Sequence, residues 1–363
     1  MTSAKRQWPP SPDLDAPARL TELADYIVPF TLRAVCDLGI ADLLTDGPRT
    51  VDDLAEQVGA HAPSLHRALR VLASKGIFTE THPGTFDLSP LAEPLRSDHP
   101  LSLRDAYPLL TSDVDAWARF DHCIRTGEAA FDLVHGQGYW DYMADNPEQS
   151  RRVDRSMASI NRLHLRTVLP AYDWGSFDTV IDVGGGNGAF LAGILAKFRS
   201  LHGTVYDLPH VVAAATDVFA AAGVSDRATS IGGSFFDHVP PGADGYLLKT
   251  VLPGFTDDEA VRALRRVRAA MRPDSRLLLL EAIIPDGDDY DAAKLVDLHT
   301  LMLTGGSHRS QEGLATLLGR AGLDLVLVRP TASLTVVEAV SRPSEGVGTP
   351  TTIQHTGQPA EFD

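Results

Sequence analysis

Residues 177–190 read FDTVIDVGGGNGAF, and this stretch decides the fold. A short apolar run, typical of a buried strand, leads into glycines at Gly184, Gly186 and Gly188. Glycine has no Cβ, so a loop rich in it lets the backbone approach a ligand closely. A helical segment, AFLAGILAKF, overlaps the end of the stretch. A strand, a glycine-rich loop and a helix in this order predict the first unit of an open α/β sheet, with a ligand at the loop.

The residues downstream repeat the alternation of strand and helix. Four further short apolar runs, GTVYDL, ATSIG, DGYLLK and RLLLLEA, are separated by helical segments. This alternation predicts a doubly wound, Rossmann-like α/β sheet. The runs at 323–328 and 334–339 predict two late strands that pair with each other in antiparallel fashion.

Upstream of the sheet, the sequence predicts a winged helix. Thr50 is placed to cap the helix VDDLAEQVG, and Ala62-Pro63-Ser64 begins a second helix, LHRALRVLASKG. Two short strands follow around a turn at Pro83-Gly84. Winged helices serve DNA binding or dimerisation. The second helix carries few basic side chains and the chain is acidic, so dimerisation is the favoured interpretation.

These patterns divide the chain into five segments. We expect a disordered tail at 1–14, a mostly helical winged-helix dimerisation domain at 15–100 and a helical linker at 101–170. A Rossmann-like domain follows at 171–341 and a second disordered tail at 342–363. The linker is rich in aromatic residues, which either pack in a core or line a substrate cavity, because sites tend to form where domains join.

Composition excludes several classes of partner. The formal net charge is −16 over 363 residues, and no long Lys/Arg run is present. Nucleic acids and anionic membranes both require a basic surface, so neither is expected as a partner. The two cysteines have no metal-ligand spacing, and no metal site is predicted. No apolar run approaches the roughly 20 residues of a membrane helix, and we expect a cytoplasmic protein.

Two carboxylates indicate the kind of cofactor. Asp182 immediately precedes the glycines and is placed to hold a cationic group such as an ammonium. Asp207 follows the glycine loop by about twenty residues, where a ribose-hydroxyl acceptor is expected. A ligand with both an ammonium and an adenosine fits S-adenosylmethionine better than a nicotinamide cofactor, which is the alternative.

Several motifs resemble one family when taken together. DVGGGNGAF, VYDLP, GGSFFDHVPPGADGYLLK, DDEAVRALRRVRAAM, RLLLLEA and LTGGSHRS resemble S-adenosylmethionine-dependent small-molecule O-methyltransferases of plant and bacterial natural-product pathways, in particular the anthracycline-tailoring ones. The resemblance implies a class I methyltransferase sheet, a homodimer formed through the N-terminal domain, and a bulky natural product as substrate. It assigns to the cofactor site Asp182, Gly184, Gly186, Asp207, Leu208, Ser234, Phe235 and Lys249. It assigns to the substrate site Trp140, Met157, Asn161, Pro253, Met302 and the surroundings of His299.

The chain departs from the family pattern at the residues that carry chemistry. Pro253 stands where the family has a histidine that acts as general base, and proline has no titratable group. Glu281 matches one of the two carboxylates that orient this histidine, but His308 replaces the other. Ser234 stands where a carboxylate would accept hydrogen bonds from adenine, so we expect weaker or altered binding of the cofactor.

Three hypotheses about function remain. The first is methyl transfer to a hydroxyl, or to an adjacent aromatic carbon, that relies mainly on positioning. In that case His308 is a candidate relocated base, or else a histidine on a solvent-facing turn; His299 is a second candidate, or else a core histidine. The second hypothesis is a non-methylating reaction, such as a hydroxylation, decarboxylation or pericyclic step, in a site that still binds S-adenosylmethionine. The third is a winged-helix regulator without catalytic activity.

Overall fold

The computed structural model of the chain describes residues 15–343 and the backbone of residues 354–355. The tail predicted at 1–14 lies outside the described residues, and so does that at 342–363 apart from Arg342, Pro343 and residues 354–355. Arg342 forms an ion pair with Asp324 at 2.8 Å. The chain divides into two compact units, Met1–Leu109 and Leu110–Asp363.

The first unit contains the predicted winged helix. Its helices are α1 (Asp15–Leu23), α2 (Ile27–Asp37), α3 (Ile40–Leu43), α4 (Val51–Val58) and α5 (Ala62–Ser74), with a 3-10 turn at Glu93–Leu95. Its strands are β1 (Arg49–Thr50), β2 (Phe78–His82) and β3 (Thr85–Leu88), in the order β1-β3-β2. As predicted, Thr50 caps α4, since its side chain accepts a hydrogen bond from the backbone N–H of Asp53.

The core of the first unit lies between α4, α5 and the hairpin of β2 and β3. Leu54, Leu69, Leu72 and Phe86 are fully buried there. By contrast, α1 has no buried residue. Five large apolar side chains of α1, α2 and their connection are exposed: Leu20, Leu23, Tyr26, Ile27 and Phe30. The two helices therefore present an apolar surface that this unit does not cover by itself.

The second unit begins with a helical segment and continues into a large sheet. Its first helices are α6 (Thr111–Trp117), α7 (Phe120–Thr126), α8 (Ala130–His135), α9 (Tyr139–Asp145) and α10 (Pro147–Val168). Short 3-10 turns follow at Leu169–Ala171 and Trp174–Ser176. Many of the aromatic side chains in this segment form a core of their own: Phe131 is fully buried, with Tyr139 and Met143 beside it.

The strands of the large sheet match the predicted apolar runs closely. They are β4 (Thr179–Val183), β5 (His202–Asp207), β6 (Ala228–Gly232), β7 (Gly245–Lys249), β8 (Arg276–Glu281), β9 (Leu323–Arg329), β10 (Thr335–Ser341) and β11 (Gln354–His355). The helices among them are α11 (Ala189–Lys197), α12 (Pro209–Val212), α13 (Ala215–Ala221), α14 (Asp257–Ala270), α15 (Ala292–Thr304) and α16 (Gln311–Ala321). A 3-10 turn at Leu252–Gly254 follows β7.

The order of strands in this sheet is β11-β9-β10-β8-β7-β4-β5-β6. Strands β4 to β8 pair in parallel, and β10 runs antiparallel to both β8 and β9. The doubly wound sheet and the antiparallel late strands are thus confirmed. The chain moves from β4 outward to β6 and then returns to β7 on the other side of β4. This reversal opens a crevice beyond the carboxyl ends of β4 and β7, where α/β sheets bind ligands.

The central strands are buried on both faces, as a parallel sheet covered by helices requires. Tyr246, Leu247 and Leu248 of β7 are fully buried. Within the described ranges, no helix combines the length and the apolar character that crossing a membrane demands.

Candidate active site

The glycine-rich loop between β4 and α11 lies at the crevice. Gly184 and Gly186 have φ values of 71° and 64°, in the left-handed region that side chains with a Cβ rarely adopt. A Cβ at Gly184 would also lie 2.8 Å from the side chain of Val251, in the segment after β7. Glycine is therefore required at 184 for its conformation and for the space it leaves.

Asp207 links the end of β5 to this loop. One oxygen of its carboxylate accepts a hydrogen bond from the N–H of Gly186 at 2.8 Å, and the other accepts from the N–H of Leu208 at 2.7 Å. Each oxygen keeps a second lone pair. The carboxylate thus holds the loop in place and retains the capacity to accept hydrogen bonds from hydroxyl groups. Leu208 is 43% exposed beside it.

Asp182 and Lys249 are ionisable groups beside the loop, and each affects the pKa of the other. Asp182 is 1% exposed, and neither of its carboxylate oxygens has a hydrogen-bond partner among the described residues. Burial raises the pKa of Asp182 to about 7, although the positive charge of Lys249 opposes this effect. Burial also lowers the pKa of Lys249, which lies over the ring of Phe190 at 5.4 Å. A buried carboxylate without a hydrogen-bond partner would be stabilised by a bound cation.

Glu281, at the end of β8, is a second buried carboxyl group near Lys249. Its oxygens likewise lack hydrogen-bond partners within the described part of the chain. Burial raises its pKa to about 8. Arg309, Lys249 and the amides of Leu252 and Val251 face it and offset part of that rise. The amides do not reach hydrogen-bonding geometry. A pKa of about 8 favours the protonated form of Glu281 at neutral pH.

His164 of α10 lies near Lys249, and the positive charge of Lys249 affects its pKa. The side chain is 8% exposed, and its Nδ1 has no partner among the residues that the structure describes. Burial, with a smaller contribution from Lys249, lowers its pKa to about 3. His164 is therefore a neutral imidazole at all physiological pH values.

Phe235 and Ser234 border the other side of the loop. The ring of Phe235 lies within 3.6 Å of a Cβ built on Gly184 and packs edge-on against Phe255 at 5.8 Å. The hydroxyl of Ser234 accepts a hydrogen bond from the N–H of Phe236 at 3.3 Å. This bond leaves the hydroxyl hydrogen of Ser234 free to be donated to a ligand.

These residues fit S-adenosylmethionine. Asp182 has a buried carboxylate without a partner for an ammonium group, and Lys249 supplies a positive charge for a carboxylate. Together they match the zwitterionic end of the methionyl group. Asp207 offers acceptor capacity for ribose, and Phe235 offers an aromatic surface. The glycine loop leaves the open space that side chains would fill.

The turn at Leu252–Gly254 contains Pro253, the residue that stands where the family has a histidine as general base. The backbone turns sharply at Thr250, which has a φ of 51° and is the one residue other than glycine with a positive φ in the described chain. Such a conformation costs free energy and persists where the surrounding structure fixes it. Pro253 is buried in this turn. No side chain from 250 to 255 can transfer a proton near neutral pH.

Arg309 clamps this turn from the side of α16. Its Nη1 donates to the carbonyl oxygen of Leu252 at 3.1 Å, and its Nη2 donates to that of Phe255 at 3.0 Å. The guanidinium also pairs with Asp257 at the start of α14. Arg309 thereby fixes both ends of the Pro253 turn.

The structure places His308 in the interior, so the expectation of a solvent-facing turn is wrong. The side chain is 8% exposed because the segment 305–309 folds back against the Pro253 turn. Its Nδ1 lies 3.1 Å from the carbonyl oxygen of Ala282, and its backbone N–H donates to Asp297 at 2.7 Å. Burial lowers the pKa of His308. A small cavity is lined by Leu252, Pro253, Glu281, Ala282, Ile283, His308, Arg309 and Leu314.

His299, the other candidate base, lies elsewhere on α15. Its ring stacks on that of Trp117 at 6.0 Å with an interplanar angle of 14°. Trp117 also contacts Phe120 at 4.8 Å and is 38% exposed. His299 does not line the small cavity of Pro253 and His308. Its surroundings are those of an aromatic platform.

The remaining residues expected at the substrate site differ in exposure. Trp140 and Met157 are 62% and 41% exposed. The amide oxygen of Asn161 on α10 is buried and has no hydrogen-bond partner among the described residues. Met302 is fully buried in the apolar core of the helical segment. Contact between Met302 and substrate stays a prediction, and its burial in this core does not favour it.

The sequence patterns did not predict the roles of two residues of the site, Arg309 and Thr250. Arg309 follows His308 directly, but its contacts with residues 252 and 255 are more than fifty positions away. The positive φ of Thr250 was not predicted, because a β-branched residue rarely adopts the left-handed region. The only cue was indirect: the sharp change from an apolar strand to Pro253-Gly254 implied a bend.

A parallel sheet with antiparallel final strands, a GxGxG loop after its first strand and an acidic residue after its second define a class I methyltransferase. The family models agree with this assignment. Residues 117–324 match the O-methyltransferase domain, and residues 21–98 match the O-methyltransferase dimerisation domain. The chain therefore belongs to the O-methyltransferase family, it is an enzyme, and its cofactor is S-adenosyl-L-methionine.

Several characterised proteins are similar over nearly the whole chain. The phenazine O-methyltransferase of Lysobacter antibioticus is 40% identical over 322 residues, covering 88% of this chain and 94% of the relative. Aclacinomycin 10-hydroxylase of Streptomyces purpurascens is 32% identical over 344 residues, covering 93% and 92%. An O-methyltransferase from neocarzinostatin biosynthesis, solved with S-adenosyl-L-homocysteine and 1,4-dihydroxy-2-naphthoic acid, has a TM-score of 0.75, 34% identity, and coverage of 89% and 98%.

Proposed function

We propose that this enzyme transfers a methyl group from S-adenosylmethionine to a hydroxyl of a bulky, planar aromatic natural product. The observation that carries the proposal is the stacked pair of Trp117 and His299, which offers a flat aromatic surface within the methyltransferase unit. Relatives that act on a phenazine or bind a dihydroxynaphthoate support a fused-ring acceptor. Trp140, Met157 and Asn161 are further candidates for contact with it.

The cofactor supplies the methyl group, and the chain holds it beside the acceptor. Asp182 and Lys249 bind the methionyl end, and Asp207, with Leu208 next to it, binds the ribose. Ser234 and Phe235 face the adenine, while Gly184 and Gly186 leave room for close approach. The relative orientation of the two reactants supplies most of the acceleration, since well-oriented reactions gain about 7–11 kcal/mol.

The proline at position 253 limits the pKa of the hydroxyl groups that this site can methylate efficiently. A phenol with an ordinary pKa near 10 is mostly protonated at neutral pH, and Pro253 cannot remove its proton. A general base contributes about 10² to 10⁴-fold, which is less than orientation contributes. An acceptor hydroxyl on an electron-poor ring system has a lower pKa and reduces the need for a base.

The enzyme acts as a homodimer in this proposal. The family's dimerisation domain covers residues 21–98. The exposed apolar side chains of α1 and α2, among them Leu23, Tyr26 and Ile27, are suited to burial against a second copy of the chain. Sedimentation equilibrium would test this assignment, and a monomer at micromolar concentration would contradict it.

A second candidate is a non-methylating reaction in the same site. The buried, clamped Pro253 favours it, because a site without a proton acceptor at that position is less suited to phenol methylation. The hydroxylase among the relatives supports it as well. In this case the sulfonium of the bound cofactor stays intact and acts as a fixed positive charge.

One assay separates the two candidates. The protein is incubated with S-adenosylmethionine and either 1-hydroxyphenazine or 1,4-dihydroxy-2-naphthoic acid as acceptor probes. Methyl transfer yields one S-adenosylhomocysteine per methylated product, detected by mass spectrometry. Consumption of a probe without S-adenosylhomocysteine would establish the non-methylating reaction, and no consumption of any fused-ring hydroxyl probe would contradict the proposed acceptor class.

A further inference from the structure

Methylation of a hydroxyl releases a proton, and the structure offers a place for it beside Pro253. Apart from the permanently charged Arg309, Glu281 and His308 are the titratable side chains in the lining of the small cavity at this turn. They belong to different elements, β8 and the segment before α16. Both are buried, and they line the cavity together with Leu252 and Pro253 of the turn whose carbonyl oxygens accept hydrogen bonds from Arg309.

The contacts of His308 fix its tautomer. A carbonyl oxygen only accepts hydrogen bonds, so the Nδ1 that lies 3.1 Å from the oxygen of Ala282 carries the hydrogen. In the neutral ring Nε2 then carries the lone pair. The hydrogen bond from the backbone of His308 to Asp297 anchors the residue further. The ring is thus held with one nitrogen occupied and the other basic.

We propose that His308 is the proton acceptor of the methyl transfer and that Glu281, in the lining of the same cavity, tunes its basicity. This inference rests on the proposed function. The bond between oxygen and hydrogen in the acceptor breaks, and its proton goes to Nε2 of His308. The electron pair left on oxygen forms the new bond to the methyl carbon. The bond from that carbon to the sulfur of S-adenosylmethionine would break at the same time, with its electron pair left on sulfur in S-adenosylhomocysteine. The imidazolium releases its proton after the product leaves.

The cavity is about 10 Å³, which is room for one water molecule and too little for an aromatic ring. The acceptor therefore stays at the rim, and the proton crosses to His308 through that water. Nε2 of His308 is the polar partner of this water in the proposed path, because the carboxyl oxygens of Glu281 are buried too completely to contact water. A path through a single water is within the reach of general-base catalysis.

The charges around His308 suit a base. Burial and Arg309 lower its pKa, while the carbonyl of Ala282 and Asp297 raise it. Glu281 is neutral below its own pKa of about 8 and does not hold the ring in its charged form. From α16, the side chain that lines the cavity is the apolar Leu314. The ring is therefore neutral and ready to accept a proton at neutral pH.

The test uses His308→Asn, because the asparagine amide keeps a donor for the oxygen of Ala282 but has no basic nitrogen. Full-length protein is assayed with whichever of the two acceptor probes the wild type methylates. The expected kcat falls about 10² to 10⁴-fold with little change in KM. Affinity for S-adenosylhomocysteine, measured by calorimetry, stays unchanged. His202→Asn, at the exposed start of β5, is the matched control and keeps wild-type kcat.

The dependence of kcat on pH is the second test of the role of His308. Wild-type kcat rises with pH through a midpoint below 6.5, the ordinary value for histidine, and His308→Asn loses this limb. Ionisation of Glu281 strengthens His308 as a base, so a further rise near pH 8 is expected and is lost in Glu281→Gln. Independently of turnover, ¹⁵N-histidine spectra should show His308 as the neutral Nδ1–H tautomer at pH 7.

The outcomes separate the two proposals. Methylation by the wild type together with unchanged kcat and an unchanged acid limb in His308→Asn would overturn the role of His308 and leave the proposed function intact. An Nε2–H tautomer in the spectra would overturn it as well. If the wild type converts no probe with release of S-adenosylhomocysteine, the proposed function fails first, and with it the need for a proton acceptor.

Discussion

A Cβ on Gly306 would overlap the carbonyl oxygen of Pro253, so Gly306 packs against Pro253 with no room for a side chain. This contact joins two turns that are distant in sequence, 252–255 and 305–309. Arg309 adds hydrogen bonds to the carbonyl oxygens on either side of Pro253. The two turns therefore behave as one rigid unit, and a change in either is expected to move the other.

Gly306→Ala tests this contact. The added methyl group must displace the carbonyl of Pro253, and overpacking of this kind costs about 1–3 kcal/mol. We expect a lower melting temperature, by roughly 2–4 °C for each kcal/mol. Gly254→Ala is the control, because a Cβ at Gly254 meets no atom within 4 Å. An equal loss of stability in both variants would contradict the close packing at Gly306.

Arg309→Lys tests the clamp. Lysine keeps the charge but presents a single ammonium, which cannot serve the carbonyl oxygens of Leu252 and Phe255 at once. We expect a loss of about 1–3 kcal/mol in chemical denaturation. Arg320→Lys is the control, since its pair with Asp258 is exposed and contributes little. Similar, small effects in both variants would show that the clamp does not hold the turn.

Local patterns predicted the framework of the molecule. Alternation of apolar runs and helices located strands β4 to β10, and the cap at Thr50 with the turn at Pro83-Gly84 located the winged helix. Glycine spacing located the loop because only glycine combines positive φ with space at Gly184. These features depend on residues a few positions apart.

The arrangement of the Pro253 turn depends on contacts between remote segments, which local sequence patterns do not reveal. The burial of His308 follows from packing against residues some fifty positions away, so the turn GGSHRS alone suggested a solvent-facing loop. The burial of Met302 was not predicted for another reason. Helix α15 is apolar on several sides, with Leu295 and Leu298 exposed and Met302 buried, so periodicity does not reveal its inward face.

Glu281→Gln tests the burial of that carboxyl group in cofactor-free protein. Its pKa is about 8 when folded, against an ordinary value of 4.5, so the folded state keeps a proton that the unfolded chain releases. Wild-type stability therefore falls as pH rises from about 4.5 to about 8. Glutamine does not titrate, so the melting temperature of the variant relative to wild type should increase across this range. Glu312→Gln, on the exposed start of α16, should show no such trend.

Asp182→Asn tests the ammonium site. The carboxyl group of Asp182 has a pKa of about 7 and must ionise to bind a cation. Affinity of the wild type for S-adenosylhomocysteine should rise with pH between 5.5 and 7.5, approaching tenfold per unit below the pKa. The variant should bind more weakly and lose this dependence in calorimetric titrations. Asp226→Asn, an exposed change, should keep it. A pH-independent wild type would show that Asp182 does not ionise on binding.

Pro253→His asks whether position 253 faces the reacting hydroxyl. The new imidazole must fit a buried turn, so we expect a moderate loss of stability, but Arg309 and the contact with Gly306 involve only backbone atoms of residues 252–255 and remain possible. If the position faces the acceptor, a second base near it should raise kcat for methyl transfer above pH 6.5 and should restore turnover to His308→Asn. Pro253→Asn has a similar polar shape without a basic nitrogen and should do neither. Recovery by asparagine as well as histidine would mean that relief of the turn, and not proton transfer, limits the reaction.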